Sequence, residues 1–191
     1  MAPSHLDLIV DLARLLEEID VPYVTDGSVA SSLVGEPRST IDIDSAVDLN
    51  DQNLEVLVRR VRPTFYVPET DAARAVREKD SFNIIHSDAA LKVDFFVLGH
   101  GTLDVNQIDR RVRVKVPTEP AAHLWITSPE DQVLRKLDWY RTGGEDSDRQ
   151  MRDVVAILRI NHERLEDHYI ATTADAVGLS ELLTRARAMS N

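Results

Sequence analysis

The chain has 191 residues, 43% hydrophobic and 29% charged, with 33 acidic and 22 basic side chains and a formal net charge of -11. This composition belongs to a folded protein of one domain, or of a core with a small appendage, and its acidity argues against a general nucleic-acid coat, which needs clustered Lys and Arg. The absence of cysteine excludes disulfides, thiolate metal sites and cysteine nucleophiles. No apolar run approaches a membrane span, and Asp7, Asp11, Arg14, Glu17, Glu18 and Asp20 are incompatible with a signal peptide, so a cytoplasmic protein without a membrane partner is expected.

Along the chain, Ser4 to Ile19 reads as an amphipathic helix, with Leu8, Leu12, Leu15, Leu16 and Ile19 on one face. Val21 to Thr25 is a short strand, Gly27-Ser28 a turn, and Val29 to Val34 the start of a helix that stops at Gly35-Glu36-Pro37. Thr40 to Leu49 alternates, with Ile41 and Ile43 inward and Asp42 and Asp44 outward. A helix is expected over Leu54 to Val61 and another over Asp71 to Glu78, while Pro63 to Val67 is ambiguous. Ser81 to His86 and Leu91 to Leu98 read as a hairpin, and Arg111 to Val116 as a further strand.

Strand signals are expected to end near residue 120. Ser128-Pro129 starts a helix that stops at Gly143-Gly144. Ser147-Asp148-Arg149-Gln150 has the form of a capping box, and Leu165 to Val177 and Ser180 to Met189 make two more helices separated by Gly178. The expected fold is α/β (α+β), with a mixed-sheet core over 1–120 and a helical C-terminal segment over 121–191 packed on it.

The chemistry concentrates in few residues. Asp42 and Asp44, one residue apart on a strand, point to the same side and can hold a divalent cation, for which oxygen donors are preferred. Gly27-Ser28, at the start of a helix, is a candidate anion site. Asp94 stands in the otherwise apolar run Leu91 to Leu98, where a carboxylate is costly unless paired or metal-bound. Alternation puts Lys92 on the same face, and a salt bridge with Lys92 or with an arginine is the plain structural reading. A calcium loop at Asp42, Asp44 and Asp48 fails, because Ala46 and Val47 stand where it needs an oxygen ligand and a glycine. The Arg59-Arg60-Val61-Arg62 and Arg110 to Lys115 runs read as solvated surface. His86 reads as hydrogen-bonded structure, and Trp125, Trp139 and Tyr140 as packing residues.

The run Tyr23 to Ser28, then Gly35-Glu36-Pro37-Arg38, then Thr40 to Asp44 resembles the minimal nucleotidyltransferases of the DNA polymerase beta superfamily, and within it the AbiEii-like nucleotidyltransferases, many of which are toxins of toxin–antitoxin pairs. Lys92-Val93-Asp94 fits that family's Lys-x-acid motif, and Ser128 to Asp131, Lys136 and Asp148 to Asp153 resemble its helical motif. By this resemblance Gly27 and Ser28 would hold a triphosphate. Asp42 and Asp44 would ligate Mg²⁺ or Mn²⁺, with Asp94 completing the metal site and helping deprotonate the acceptor. Lys136 would neutralise phosphate charge, with Arg149 (nucleotide-binding) and Asp153 auxiliary. Two residues depart from the pattern: Asp26, where the family carries a small or apolar residue, and Ser45, where it carries an apolar one.

The resemblance implies a Mg²⁺-dependent enzyme that moves a nucleoside monophosphate from a nucleoside triphosphate (ATP among the candidates) to a hydroxyl of a tRNA, a protein or a small molecule, releasing pyrophosphate. A cognate antitoxin would be a partner of a toxin of this kind. The competing expectation is a catalytically weak or inactive nucleotide-binding regulatory module, for which the extra charge of Asp26 is the main support.

Overall fold

The computed structural model describes residues 5–26, 42–89, 91–118, 121–144 and 148–190, with only the backbone given for His5, Asp42 and Asp148. Gly27, Ser28 and the expected helix from Val29 lie outside the described residues, as does Ser147 of the expected capping box. The chain divides into two compact units, Met1–Thr127 and Ser128–Asn191.

The first unit is built on a mixed seven-stranded sheet of order β3-β4-β5-β2-β1-β7-β6. Its strands are β1 (Tyr23–Asp26), β2 (Asp42–Val47), β3 (Phe65–Tyr66), β4 (Ser81–His86), β5 (Lys92–Val97), β6 (Val112–Val116) and β7 (Ala122–Ile126). The β2–β5 and β1–β7 pairs are parallel and the other four antiparallel. Its described helices are α1 (His5–Glu18), α2 (Asp51–Val61), α3 (Glu69–Glu78) and α4 (Thr102–Asp109).

Period-two alternation decides which face of the sheet is dry. Ile43 and Val47 of β2, Phe82 and Ile84 of β4, and Val93, Phe95 and Val97 of β5 pack into one core with Leu8, Leu12 and Leu16 of α1, Leu54 and Leu57 of α2, and Ala72 and Val76 of α3. Each fully buried aliphatic side chain contributes about 1.5–3 kcal/mol, so this layer fixes the strand register: a slip of one residue would move every apolar group to the other face. Local chemistry sets the helix starts. At α2 the Asn50 Oδ1 accepts from the amides of Gln52 and Asn53, each at 3.0 Å, and Asn53 Oδ1 accepts from the Asn50 amide at 2.8 Å, satisfying donors that the first turn leaves open.

Among the described residues, the opposite face carries a smaller apolar cluster. Val24, Ala46 and Leu98 are buried there, with Phe96 and Ile108 of α4 packed against them. α4 begins at Gly101, whose amide donates to Asp104 Oδ2 at 3.2 Å.

β7 corrects the expectation that strands end near residue 120. Ala122, Leu124 and Ile126 alternate inward, but the polar His123 and the nearby Pro117 and Pro120 make the segment read as loop. Its pairing partners are β6 and the distant β1, and a non-local parallel partner leaves no mark in the local pattern.

The second unit contains α5 (Pro129–Thr142), α6 (Asp148–Asn161), α7 (Asp167–Ala176) and α8 (Ser180–Ser190). α5 starts as its sequence predicts: Ser128 Oγ accepts from the Asp131 amide at 3.1 Å, with Pro129 at the first helical position. Gly178 adopts a φ of +71° between α7 and α8, a conformation that favours glycine.

Candidate active site

Register brings acidic groups from three strands to one level of the sheet. Asp44 of β2 pairs with Asp94 of β5 on one side and with Asp26 of β1 on the other, and Asn83 of β4 lies opposite Asp94. Residues opposite one another in a sheet share a face, and this is the face that carries Val24, Ala46 and Phe96, away from the main core. Neighbouring strands are about 4.8 Å apart, so the carboxylates of Asp26, Asp44 and Asp94 stand in adjacent columns. One level along, Lys92 lies between Ile85 of β4 and Asp42 of β2, and Ile85 is opposite Tyr66 of β3. α4 covers the far side of this face, at Val24 and Ala46, through Ile108.

Asp94 is half-buried, and its Oδ2 accepts from Lys92 Nζ at 2.7 Å. The ion pair joins residues i and i+2 of one strand, which alternation places on the same face. Asp44 is also half-buried. Asp26 is 7% exposed, so the residue that departs from the family pattern sits on β1 directly beside Asp44. Ser45, the other departure, is buried on the opposite face and donates from Oγ to the Val24 carbonyl at 3.2 Å, which supplies the hydrogen bond that a buried hydroxyl requires.

The donor set is chemically suited to a hard divalent cation: Asp44 and Asp94 offer carboxylate oxygens from adjacent strands, and Mg²⁺ binds through a few such oxygens while keeping waters. Asp42 occupies the next register position along β2, opposite Lys92. Among the described residues, no group of three Asp, Glu, His or Cys side chains is gathered closely enough to hold a metal ion.

The remaining candidate residues fall in the second unit. Lys136 on α5 is buried, and its Nζ donates to Asp153 Oδ2 of α6 at 2.9 Å. Arg149 is exposed in the first turn of α6. Close by in sequence is a buried polar cluster. Asp131, 1% exposed, accepts at Oδ2 from Ser128 Oγ at 2.6 Å and at Oδ1 from the Tyr169 hydroxyl at 2.5 Å.

His86 lies on the core face and caps the β4–β5 turn: its Nδ1 accepts from the Asp88 and Ala89 amides, each at 3.1 Å, and its ring packs edge-on against Phe65. Trp125 packs against the core edge, with the Arg111 guanidinium 4.7 Å from its ring centroid. In the second unit Tyr140 is buried and accepts from Arg185 at 3.0 Å.

In the sequence Asp26 stands out only as a departure from the pattern, and Asn83, Tyr66 and Ile85 carry no motif. The alternation of β1 was the available signal for Asp26: with Tyr23 inward, Asp26 falls on the face of Val24. For Tyr66 and Ile85 the decisive fact is the pairing of β3 with β4, which a two-residue strand does not announce.

Solved structures with a similar fold include a candidate nucleotidyltransferase (TM1012) from Thermotoga maritima, with a TM-score of 0.50 and 15% identity over 80% of this chain and 95% of that one. An antigenic nucleotidyltransferase-like protein from Paracoccidioides brasiliensis aligns with a TM-score of 0.49 and 15% identity, covering 94% of this chain and 89% of that one. The lincosamide antibiotic adenylyltransferase LnuA, solved with lincomycin, aligns with a TM-score of 0.47 and 14% identity, covering 81% of this chain and 96% of that one. The chain matches no protein-family model and no curated protein. At such identities the likeness is one of fold alone, and the AbiEii-like branch is not singled out.

Proposed function

We propose that the chain is a metal-dependent nucleotidyltransferase that moves a nucleoside monophosphate from a nucleoside triphosphate, ATP among the candidates, to a hydroxyl acceptor. The observation that carries this reading is the register of Asp44 against Asp94 on parallel strands of one sheet face, in a fold shared with a candidate nucleotidyltransferase. The acceptor oxygen forms a bond to the α-phosphorus, the bond from that phosphorus to the bridging oxygen breaks, and pyrophosphate leaves. Asp94 takes the proton of the acceptor hydroxyl, and Lys92 orients the Asp94 carboxylate. Asp42, Asp44 and Asp94 would hold Mg²⁺ or Mn²⁺, which supplies charge neutralisation at the phosphates when bound. Gly27 and Ser28 follow β1 directly in sequence and are assigned to the triphosphate. Lys136 and Arg149 are assigned to phosphate charge, with Lys136 positioned by Asp153.

The acceptor classes consistent with this chemistry are a tRNA end, a protein side chain and a small molecule. A cytoplasmic toxin held in check by an antitoxin is the biological setting that the sequence resemblance suggests; growth arrest on expression, relieved by the neighbouring gene product and abolished by Asp44→Asn, is its test. For the chemistry, the protein is incubated with Mg²⁺ and each α-labelled nucleoside triphosphate, alone, with total RNA, and with a pool of small hydroxylated metabolites. Transfer of label with release of pyrophosphate, lost in Asp44→Asn and Asp94→Asn, supports the reading. Nucleotide binding with no pyrophosphate release, unchanged by Asp94→Asn, would show a regulatory binding module instead.

A further inference from the structure

Among the described residues six large apolar side chains are well exposed: Tyr66, Ile85, Val105, Val112, Ile160 and Met189. Of these, Tyr66 and Ile85 are register partners. Tyr66 is 66% exposed and Ile85 42%. Isolated exposed apolar groups are ordinary; these two are neighbours on the sheet face that carries Asp94. Ile85 is in turn opposite Lys92, whose Nζ holds Asp94. The pair therefore forms an apolar shelf continuous with the candidate centre.

Sheet order gives the shelf its direction. From Asp94, one side leads to Asp44 and Asp26 on β2 and β1, and the other to β4 and β3, where Ile85 and Tyr66 lie. In an in-line displacement the entering oxygen and the leaving pyrophosphate are on opposite sides of the phosphorus. If the triphosphate binds over β2 and β1, as the nucleotidyl-transfer reading assigns it, the body of the acceptor would lie over β4 and β3. Tyr66 is two strands from Lys92, about 10 Å, a span bridged by one ring and a short linker.

Charge narrows the class of acceptor. Arg62, just before β3, is paired with Glu69, and Lys92 is paired with Asp94. The shelf offers a tyrosine face and an aliphatic surface beside carboxylates, a poor match for a polyphosphate backbone, which is bound by free Lys and Arg. A flat ring packs on such a surface through offset stacking and dispersion.

We propose that Tyr66 and Ile85 form the acceptor subsite of this centre and seat the planar or apolar ring of an uncharged small molecule whose hydroxyl reaches Asp94. This rests on the nucleotidyl-transfer reading, and the experiment separates the two.

Phenyl β-D-glucoside, which is uncharged and carries a flat ring beside hydroxyls, is the probe. It is titrated into the protein while the Ile85 methyl and Tyr66 ring signals are followed by NMR. In parallel, thermal stabilisation by α,β-methylene-ATP with Mg²⁺ reports nucleotide binding. The expected result is a saturable shift at both residues, with the affinity read at the Ile85 methyl weakened about tenfold in Tyr66→Ala and the α,β-methylene-ATP stabilisation unchanged in that variant. Signals that stay still in the glucoside titration, while the nucleotide analogue stabilises, overturn the subsite and leave the parent reading standing. A salt-sensitive shift at Ile85 on adding a short single-stranded RNA, with none from the glucoside, also overturns it in favour of a nucleic-acid acceptor. Absence of stabilisation by the nucleotide analogue removes the parent reading, and the subsite assignment with it.

Discussion

Lys92 and Asp94 form an ion pair along one strand, Nζ to Oδ2 at 2.7 Å, and the register of β5 against β2 places Asp94 opposite Asp44. A lysine and two aspartates thus meet on one face of a sheet whose other face is packed with aliphatic side chains.

Removing the Asp94 charge while keeping its shape isolates its chemical role. The side chain is 21% exposed and outside the main core, so Asp94→Asn is expected to fold normally. Under the proposed function it lowers kcat for nucleotidyl transfer by about 10²–10³-fold, the range found when one preorganised electrostatic group is lost. Pyrophosphate release measured beside a thermal melt is the check: activity lost with an unchanged Tm is the expected pattern.

The Lys136–Asp153 pair gives a stability prediction within the second unit. Lys136 has an 11% exposed side chain and Asp153 a 32% exposed one. Asp153→Ala leaves a buried ammonium without its carboxylate, whereas Lys136→Met replaces that ammonium with an apolar group of similar length. Allowing for solvent screening at the partly exposed Asp153, Asp153→Ala is expected to cost about 1–2 kcal/mol, and Lys136→Met added to it restores part of the loss. Urea unfolding of the single and double variants in a double-mutant cycle measures the coupling.

Tyr169 binds one oxygen of buried Asp131 while Ser128 binds the other. Tyr169→Phe removes a hydrogen bond to a buried carboxyl group without opening a large cavity. A loss of about 1.5–3 kcal/mol is expected, seen as a drop of several degrees in Tm. A Tyr169→Phe protein as stable as the parent would show that another donor satisfies Asp131.

Tyr23 sets an alkaline limit. Its phenol is raised well above its ordinary value of 10.0, chiefly by burial, with nearby Glu17 adding to the rise. Above that value the unfolded chain gives up the proton while the folded chain keeps it, so the unfolded state binds fewer protons and stability falls as pH rises. The contribution is complete below pH 10 and is lost progressively above it. Tyr23→Phe should flatten this alkaline slope, measured as ΔG of unfolding against pH, while at neutral pH it costs about 0.5–1.5 kcal/mol through the hydroxyl's hydrogen bonds to Glu17 and the Trp125 backbone.

Much of the scaffold is legible in local sequence patterns. Period-3.6 patterns marked α1 and α2, alternation marked β2, two apolar runs joined by a short turn marked the β4–β5 hairpin, and Ser128-Pro129 with Gly143-Gly144 bounded α5, because each of these signals depends on residues a few positions apart. The sequence also singled out Asp42, Asp44, Asp94 and Lys92 as an unusual set of charges in apolar strands. Tertiary structure decided what stands beside them. The alignment of Asp26 with Asp44 and of Asp44 with Asp94, the Tyr66–Ile85 shelf and the insertion of β7 beside β1 depend on pairing between segments distant in the chain. Strand order and register are fixed by how the buried faces fit together, and a local pattern says which side of a strand is dry but not which strand lies next to it.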